Sequence, residues 1–181
     1  MSDTMINDAD LVPVSADDLL AVERFLFRES RLLNTEQQGQ WLTDILHEDI
    51  RYQVYVRELR HRKDKKAKGP DRLYIYDETF GELDARVRQF ETGMQWRVDP
   101  PERIRYLVSN IEAFHSDEDN ELIVLSNCLV VRNRRVYEES TFVYGRVDRL
   151  RRDETGKLRL IHREVDYDQR YLEGRNQLFF V

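Results

Sequence analysis

The sequence predicts an α+β fold in which N-terminal helices pack on a long, curved, mainly antiparallel sheet. Amphipathic helical segments dominate the first half of the chain, and four long strand-like segments occupy the second half. Two of the links between those strands, SDEDN and RDETG, are turn-like. Helices followed by a run of antiparallel strands are typical of α+β proteins rather than of parallel α/β sheets.

The first helix is expected to begin at Ser15 and to run to about Leu33. Ser15 supplies a capping hydroxyl, and Asp17 and Asp18 place negative charge near the positive end of the helix dipole. The apolar residues recur with helical spacing, so one face is expected to be buried. They are Leu19, Leu20, Val22, Phe25, Leu26, Leu32 and Leu33.

Three further elements are expected before residue 92. Asn34 and Thr35 would cap a second helix that ends at His47 and carries Trp41, Leu42, Ile45 and Leu46 on its apolar face. Residues 49–59 alternate as a strand, with Tyr52, Val54 and Val56 on one side. Residues 78–91 have the helical spacing of a third helix, with Phe80, Leu83, Val87 and Phe90 as its apolar residues.

The remaining strands are predicted over residues 103–115, 121–131, 136–150 and 157–167. The apolar tail NQLFFV, residues 176–181, is expected to pack back onto the body. A chain of 181 residues suits one domain with one core. We therefore expect residues 15–181 to form a single α+β domain, preceded by a flexible arm at residues 1–14.

Composition and charge limit the possible partners. The net charge of −6 argues against nucleic acid as a general partner, and no apolar run approaches the roughly 20 residues of a membrane span. The acidic N-terminal stretch lacks the pattern of a signal peptide. The single cysteine, Cys128, allows no internal disulfide and is expected to be buried. A cytoplasmic location follows as an expectation.

One local segment is basic, although the chain as a whole has a negative net charge. Residues 57–72 carry eight Arg or Lys residues against Glu58, Asp64 and Asp71. The segment has no interleaved aromatic residues, and Gly69-Pro70 marks it as a loop. A solvated loop or a protein contact is therefore favoured over nucleic-acid binding, and the role of the basic loop 60–72 stays open.

The strand at residues 121–131 is apolar on both sides. Leu122, Val124, Cys128 and Val130 alternate with Ile123, Leu125, Leu129 and Val131. An antiparallel sheet with one solvated face normally alternates apolar and polar residues. Because three helices can cover only one face of a long sheet, we expect the other face to contact protein in an oligomer.

The stretch LIHREVDYDQRY raises the question of an active site. In a strand, His162, Glu164 and Asp166 share one face. They could act in proton transfer inside a cone-shaped pocket, with the hydroxyls of Tyr52 and Tyr106 as donors. In the structural alternative, the interleaved Arg159, Arg163 and Arg170 pair with carboxylates within the sheet or across an interface.

The pattern of histidines does not indicate a metal site. The four histidines, His47, His61, His115 and His162, show neither an i,i+4 pair nor a Cys–His spacing. His47 would end the second helix, His61 lies in the basic loop, and His115 precedes a turn. A phosphate loop, a dinucleotide fingerprint and a nucleophile elbow are also missing from the sequence.

Several segments match a known family in their order and spacing. They are FLFRESRLLN, WLTDILHEDIRYQVYVREL, RIRYLVSNI, LRLIHREVDYDQR and the closing NQLFFV. From about residue 17 onward, the chain resembles the small (beta) subunit of Rieske-type aromatic-ring-hydroxylating dioxygenases. The segment RYQVYVREL favours the naphthalene-type group of this family.

The resemblance implies a nuclear-transport-factor-like (cystatin-like) cone. It also implies an assembly of three alpha and three beta chains with a beta trimer core. In that family the alpha subunit holds a Rieske iron–sulfur cluster and a mononuclear iron. Electrons arrive from NADH through a reductase, often with a ferredoxin, and an aromatic ring is converted to a cis-dihydrodiol.

The residues agree with a non-catalytic role for this chain, without cofactor, metal or catalytic residues of its own. A Rieske centre needs two cysteines and two histidines, and a mononuclear iron triad needs two histidines and a carboxylate. The alternative is a stand-alone dehydratase or isomerase of the same fold that uses His162 and Asp166. A regulatory ligand-binding cup is a third possibility.

Overall fold

The computed structural model describes residues 11–57, 72–91, 102–134, 136–169 and 179–181. Within these ranges there are three helices, namely α1 (Ala16–Asn34), α2 (Gln38–Asp44) and α3 (Phe80–Glu91). The strands in the same ranges are β1 (Leu46–Arg57), β2 (Arg72–Thr79), β3 (Arg103–His115), β4 (Glu121–Arg134), β5 (Glu138–Arg152) and β6 (Leu158–Tyr167). The predicted α+β order is confirmed, and β2 is an additional strand.

The described strands form one sheet in the order β2-β1-β6-β5-β4-β3. All neighbouring pairs are antiparallel except β1 and β6, which run parallel. We call the face of the sheet that packs against the helices the inner face, and the opposite one the outer face. The core lies between the helices and the inner face.

Helix α1 begins where the sequence predicts. The Ser15 side chain accepts a hydrogen bond from the backbone N–H of Asp18 at 3.2 Å, which satisfies one free donor of the first turn. Val22, Phe25 and Leu26 are buried on the face toward the sheet, together with Leu32 and Leu33. The apolar spacing read from the sequence therefore identifies the buried side of α1.

The predicted second helix is too long, and its predicted cap is wrong. Helix α2 ends at Asp44, and its N-cap residue, Gln37, makes no side-chain capping bond. Asn34 is instead the last residue of α1. Ile45 is buried outside the helix, and its carbonyl accepts a hydrogen bond from the N–H of Leu160 at 2.8 Å. This bond to β6 draws the chain into β1, so His47 lies in a strand rather than at a helix end.

The third helix begins two residues later than predicted because β2 precedes it. Glu78 and Thr79 end β2, and α3 begins at Phe80. The N–H of Thr79 donates to Glu82 Oε2 at 2.7 Å, and the Thr79 hydroxyl donates to the same oxygen at 2.8 Å. These contacts resemble a capping box and mark the start of the helix.

The other strands agree with prediction within a few residues. Strand β3 has the predicted bounds, β4 extends to Arg134, and β5 and β6 begin slightly late. Residues before α1 also contact the sheet: the N–H of Val14 donates to the carbonyl of Ala113 at 3.2 Å, and the N–H of His115 donates to the carbonyl of Val12 at 2.9 Å. The flexibility predicted for the arm stays a prediction, and residues 1–10 lie outside the described ranges.

Candidate functional site

The three polar residues of β6 share one face, as predicted, but that face is the outer one. His162, Glu164 and Asp166 are half-buried, whereas the alternating Arg163, Val165 and Tyr167 are buried. Tyr52 and Tyr106, proposed as hydroxyl donors to the same pocket, belong to the core on the inner side. The sheet therefore separates the two parts of the hypothetical catalytic set.

The outer-face residues make local polar contacts. Nε2 of His162 lies 3.3 Å from Oε1 of Gln53, and Nη1 of Arg72 donates to Oε2 of Glu164 at 3.1 Å. Burial lowers the pKa of the His162 imidazole, and the nearby Glu164 carboxylate opposes this shift. The strand register places Asp166 beside Tyr55 of β1. These contacts are those of side chains that pair neighbouring strands.

A recess of about 220 Å³ lies at the mouth of the core. Its lining includes Asn34, Phe90, Tyr106, Phe179 and Phe180. His162, Glu164 and Asp166 are not part of this lining. The recess and the polar residues of β6 are therefore separate features, and they do not combine into a pocket for acid–base chemistry.

The strongest electrostatic feature lies on the inner side. Pairing of Arg163 with carboxylates within the sheet was one of the predicted alternatives, but its partners were not predicted. The guanidinium of Arg163 is fully buried and donates to two carboxylates. Its Nη1 and Nη2 donate to Glu29 of α1 at 2.7 and 2.9 Å, and its Nε and Nη2 donate to Asp148 of β5 at 2.7 and 2.9 Å. Arg163 thus links α1 to two strands of the sheet through charge-assisted, bidentate bonds.

Arg146 completes a buried group of two positive and two negative side chains, which we call the inner charge cluster (Glu29, Arg146, Asp148 and Arg163). Arg146 lies 3.3 Å from Glu29 and 3.1 Å from Asp148. All four side chains are at most 5% exposed. Because the charges balance, burial of the cluster leaves no net charge in the core.

The sequence contains a signal for this cluster that is unrelated to the spacing of catalytic residues. Glu29 falls on the apolar face of α1, between Leu26 and Leu32. Arg146 and Asp148 likewise alternate with the outward residues of β5. A charged residue in a core-facing position is rarely buried alone, so each one predicts an oppositely charged partner.

Stability of the chain is expected to fall in acid because of Glu29. Burial raises the pKa of this carboxyl, but Arg163 and Arg146 more than offset that effect and hold the pKa at about 2. Since the folded pKa lies below the ordinary value of 4.5, the contribution is complete above about pH 4.5 and is lost as the pH falls toward 2. The full contribution is about 3 kcal/mol.

Urea unfolding between pH 7 and pH 3 tests this expectation. The Glu29→Gln variant should be less stable at pH 7 but should lose less stability below pH 4.5 than the unmodified chain. Parallel stability profiles of the two proteins would show that Glu29 is not the titrating group.

The other predicted ion-pair partners have separate locations. Nη1 of Arg159 donates to the carbonyl of Thr43 at 2.6 Å, and its Nε lies 3.4 Å from Asp153. Arg163 pairs in the core with Asp148 of the neighbouring strand, so for this residue the predicted pairing within the sheet is confirmed rather than the alternative pairing across an interface. Arg170 and residues 60–71 of the basic loop, which include His61, lie outside the described residues, and Arg72 begins β2.

The inner space is filled by the last three residues. Phe179, Phe180 and Val181 are buried, which confirms the predicted packing of the tail for these residues. The hydroxyl of Tyr106 donates to the carbonyl of Phe180 at 2.7 Å. The hydroxyl of Tyr52 donates to the main-chain oxygen of Val181, and burial raises the pKa of Tyr52 to about 12. Both tyrosines therefore bind the tail.

The outer face carries an apolar patch among polar residues on β3, β4 and β5, and a charged half on β1, β2 and β6. In the patch, Leu107 of β3 pairs with Leu129 of β4, which pairs with Val143 of β5. These three side chains are 48, 36 and 38% exposed. Leu125 and Val147 form another such pair. We call these five residues the apolar outer patch.

The charged half lies on β1, β2 and β6. It contains the ion pair of Arg51 with Asp77, a hydrogen bond of 3.0 Å from Gln53 to Asp77, and the contacts of His162 and Glu164. The doubly apolar character predicted for β4 is confirmed. Leu122, Val124, Cys128 and Val130 are buried on its inner side, and Ile123, Leu125, Leu129 and Val131 lie on its outer side. The outer face can contact protein through the apolar outer patch.

Among the described residues, no three His, Cys, Asp or Glu side chains are grouped so that they could hold a metal ion. In the same part of the chain, no helix has the length and apolar character required to cross a bilayer.

Comparison with solved structures places the fold in a known group. A protein with a cystatin-like fold from Nostoc punctiforme has a TM-score of 0.57 at 17% identity, and the match covers 88% of this chain and 97% of that one. The beta subunit of benzoate 1,2-dioxygenase from Burkholderia mallei has a TM-score of 0.63 at 19% identity, with coverages of 92% and 98%. The predicted nuclear-transport-factor-like (cystatin-like) fold is confirmed.

A third similarity is stronger. A chain of naphthalene 1,2-dioxygenase, in a structure with indole bound in the active site, has a TM-score of 0.88 and 27% identity. The match covers 96% of this chain and 91% of that chain. The family described as ring hydroxylating beta subunit matches residues 28–174. This chain therefore belongs to the beta-subunit family of the ring-hydroxylating dioxygenases.

Proposed function

We propose that this chain is the structural subunit of a cytoplasmic enzyme with three alpha and three beta chains, in which a trimer of beta chains supports the alpha subunits. The alpha subunit would carry the Rieske cluster and the mononuclear iron, and a reductase and a ferredoxin would supply electrons. The observation that carries this proposal is the apolar outer patch, which lies on the sheet face that the described helices leave uncovered.

The geometry of a trimer supports this use of the patch. In a closed ring of three copies, each copy contributes two different surfaces, one to each neighbour. The apolar outer patch would be one of these surfaces. The charged half of the outer face lies beside it and would limit the orientation of the partner, because a misaligned contact would bring like charges together, which is unfavourable.

The substrate class is proposed from the family and from similarity to naphthalene 1,2-dioxygenase. We infer that the assembled enzyme dihydroxylates an aromatic hydrocarbon. No residue of this chain is assigned a catalytic, cofactor-binding or metal-binding role. Two observations support that assignment: the tail occupies the inner space, and the polar residues of β6 lie on the outer face.

The variants His162→Ala and Asp166→Ala test the non-catalytic role. Each is co-expressed with the alpha subunit and assayed with the electron-transfer proteins, using naphthalene as the probe. Turnover per assembled complex should stay within about twofold of the unmodified enzyme, because losing a general acid or base typically costs about 100-fold or more.

The stand-alone dehydratase or isomerase predicts a different result. It requires that the isolated chain turns over a substrate without a partner and that this activity falls at least about 100-fold in the His162→Ala variant. Light scattering on the same samples measures assembly, so a loss of turnover caused by dissociation is distinguished from a loss of chemistry. An isolated chain that turns over a substrate without a partner would also contradict the proposal.

The isolated chain is expected to be colourless and to bind no iron. The physical reason is its single cysteine, since a Rieske cluster requires two cysteines and two histidines. Elemental analysis and a visible spectrum of the purified chain measure this directly. One equivalent of iron, or the absorption of an iron–sulfur cluster, would contradict the expectation.

A further inference from the structure

The hairpin formed by β4 and β5 ends in an apolar turn. The turn contains Val136 and Tyr137, which we call the hairpin tip. These side chains are 86 and 92% exposed, more than any other large apolar side chain in the described ranges. Turns between strands favour Gly, Asn and Asp, whereas Val and Tyr favour strands. The local conformation therefore gives no reason for an apolar tip.

The hairpin tip lies at the end of a projecting pair of strands. Strands β4 and β5 stay paired as far as Arg134 and Glu138. On one side, the first residue of β3 pairs with Asn133, and on the other side the last residue of β6 pairs with Tyr144. Within the described ranges, both neighbouring strands thus end before the turn. The hairpin tip is placed where another protein can reach it.

The apolar outer patch supplies only part of an interface. Stable protein interfaces bury about 800 Å² on each partner and involve roughly 20–30 residues of each. The patch has five residues, and its side chains Leu107, Leu129 and Val143 are each less than half exposed. A contact made by the patch therefore needs a partner surface with strongly exposed apolar side chains.

Symmetry determines which surface of another copy can meet the patch. A patch that contacts the same patch of a second copy is related to it by a twofold axis, so this contact produces a dimer. A closed ring of three requires the patch to meet a different surface of the next copy. The hairpin tip meets this requirement because it is apolar, exposed and separate from the patch.

The dimensions of the hairpin suit such a ring. Leu129 lies five residues before the end of β4, which places it about 20 Å from the hairpin tip. If each tip contacts the patch of the next copy, the three hairpins form the sides of a triangle, and the contacts lie about 12 Å from the threefold axis. The helices pack on the inner face, so they lie away from this axis.

We propose that the hairpin tip of one beta chain binds the apolar outer patch of the next, and that three such contacts close the ring. The Tyr137 ring would lie over Leu129 and Val143, with its hydroxyl directed toward the polar residues around the patch. Tyrosine suits this position because its side chain is apolar with a polar end. The inference rests on the proposed beta trimer and identifies the second surface that the trimer needs.

Cysteines introduced at the tip and in the patch test this contact in the assembled complex. A beta chain with both Tyr137→Cys and Leu129→Cys is co-expressed with the alpha subunit and treated with a short bismaleimide. A covalent beta trimer is expected on a denaturing gel, since the two cysteines of one chain are too far apart to be joined. The unmodified chain should give no product because Cys128 is buried. The pair Tyr137→Cys and Leu20→Cys should also give none, because Leu20 lies on α1.

Truncation of the tip provides a second measurement. Tyr137→Ala should raise the concentration at which the beta trimer dissociates by at least about tenfold, as expected for a tyrosine at the centre of an interface. Leu20→Ala is the control and should change this concentration less than about twofold. Circular dichroism of the isolated chains should be unchanged, since both side chains are exposed.

The inference is overturned if either single-cysteine chain alone gives beta–beta products, or if the tip is joined to the alpha subunit instead. It is also overturned if a complex of full mass gives no product, or if Tyr137→Ala dissociates at the concentration of the unmodified complex. A chain with Val143→Cys in place of Leu129→Cys repeats the test should the first variant assemble poorly. An unmodified complex that contains no beta trimer contradicts the proposed function itself, so the two failures are distinguishable.

Discussion

Replacement of Arg163 by methionine should destabilise the chain by about 3–5 kcal/mol, which is the usual effect of removing one partner from a buried ion pair. Methionine retains much of the side-chain volume, so the loss does not come mainly from a cavity. Glu29 and Asp148 would remain buried with only Arg146 to balance them. The Val181 oxygen would also lose a donor.

Urea unfolding of the isolated chain measures this loss, and Arg159→Ala is the matched control. Arg159 lies on the same strand and also pairs with an aspartate, but that pair is partly exposed at both ends. Its removal should cost under about 1 kcal/mol. If the two variants were equally stable, the inner charge cluster would not be a major source of stability.

Replacement of Leu129 by glutamate should prevent assembly while the isolated chain stays folded. The Leu129 side chain is already 36% exposed in the single chain, so the change removes little buried area. In an assembly that covers the apolar outer patch, the new carboxylate would be buried without a partner, which costs several kcal/mol.

Light scattering of the co-expressed subunits measures assembly, and circular dichroism of the isolated variant measures folding. Leu20→Glu is the control, since Leu20 is a comparably exposed leucine, at 44%, but lies on α1. We expect this variant to assemble normally. A Leu129→Glu protein with the full mass of the complex would show that the apolar outer patch is not an interface.

Most of the fold follows from local patterns. The spacing of apolar residues in α1, the alternation in β3, β5 and β6, and the long apolar run of β4 identify these elements because each pattern extends over ten residues or more. The errors occur where a distant segment decides the structure. Helix α2 stops at Asp44 because Ile45 is hydrogen-bonded to Leu160 of β6, and no local signal contains that contact.

The polar residues show a similar limit. Alternation correctly placed His162, Glu164 and Asp166 on one side of β6, but it could not determine which side faces the helices. That choice depends on Arg163, whose partners Glu29 and Asp148 come from other elements. The overlooked signal was a glutamate within the apolar stripe of α1.

The parallel pairing of β1 with β6 affects how the chain reaches its native state. Strands β3 to β6 each pair with a strand that is adjacent in the sequence. Strand β1, in contrast, pairs with β6, so that Arg51 lies beside His162 although most of the polypeptide separates them in sequence. Contacts between such distant residues slow folding because a long loop must close first. Until β6 arrives during synthesis, β1 presents an open strand edge that other nascent chains can join, so early chaperone protection would favour the yield of this subunit.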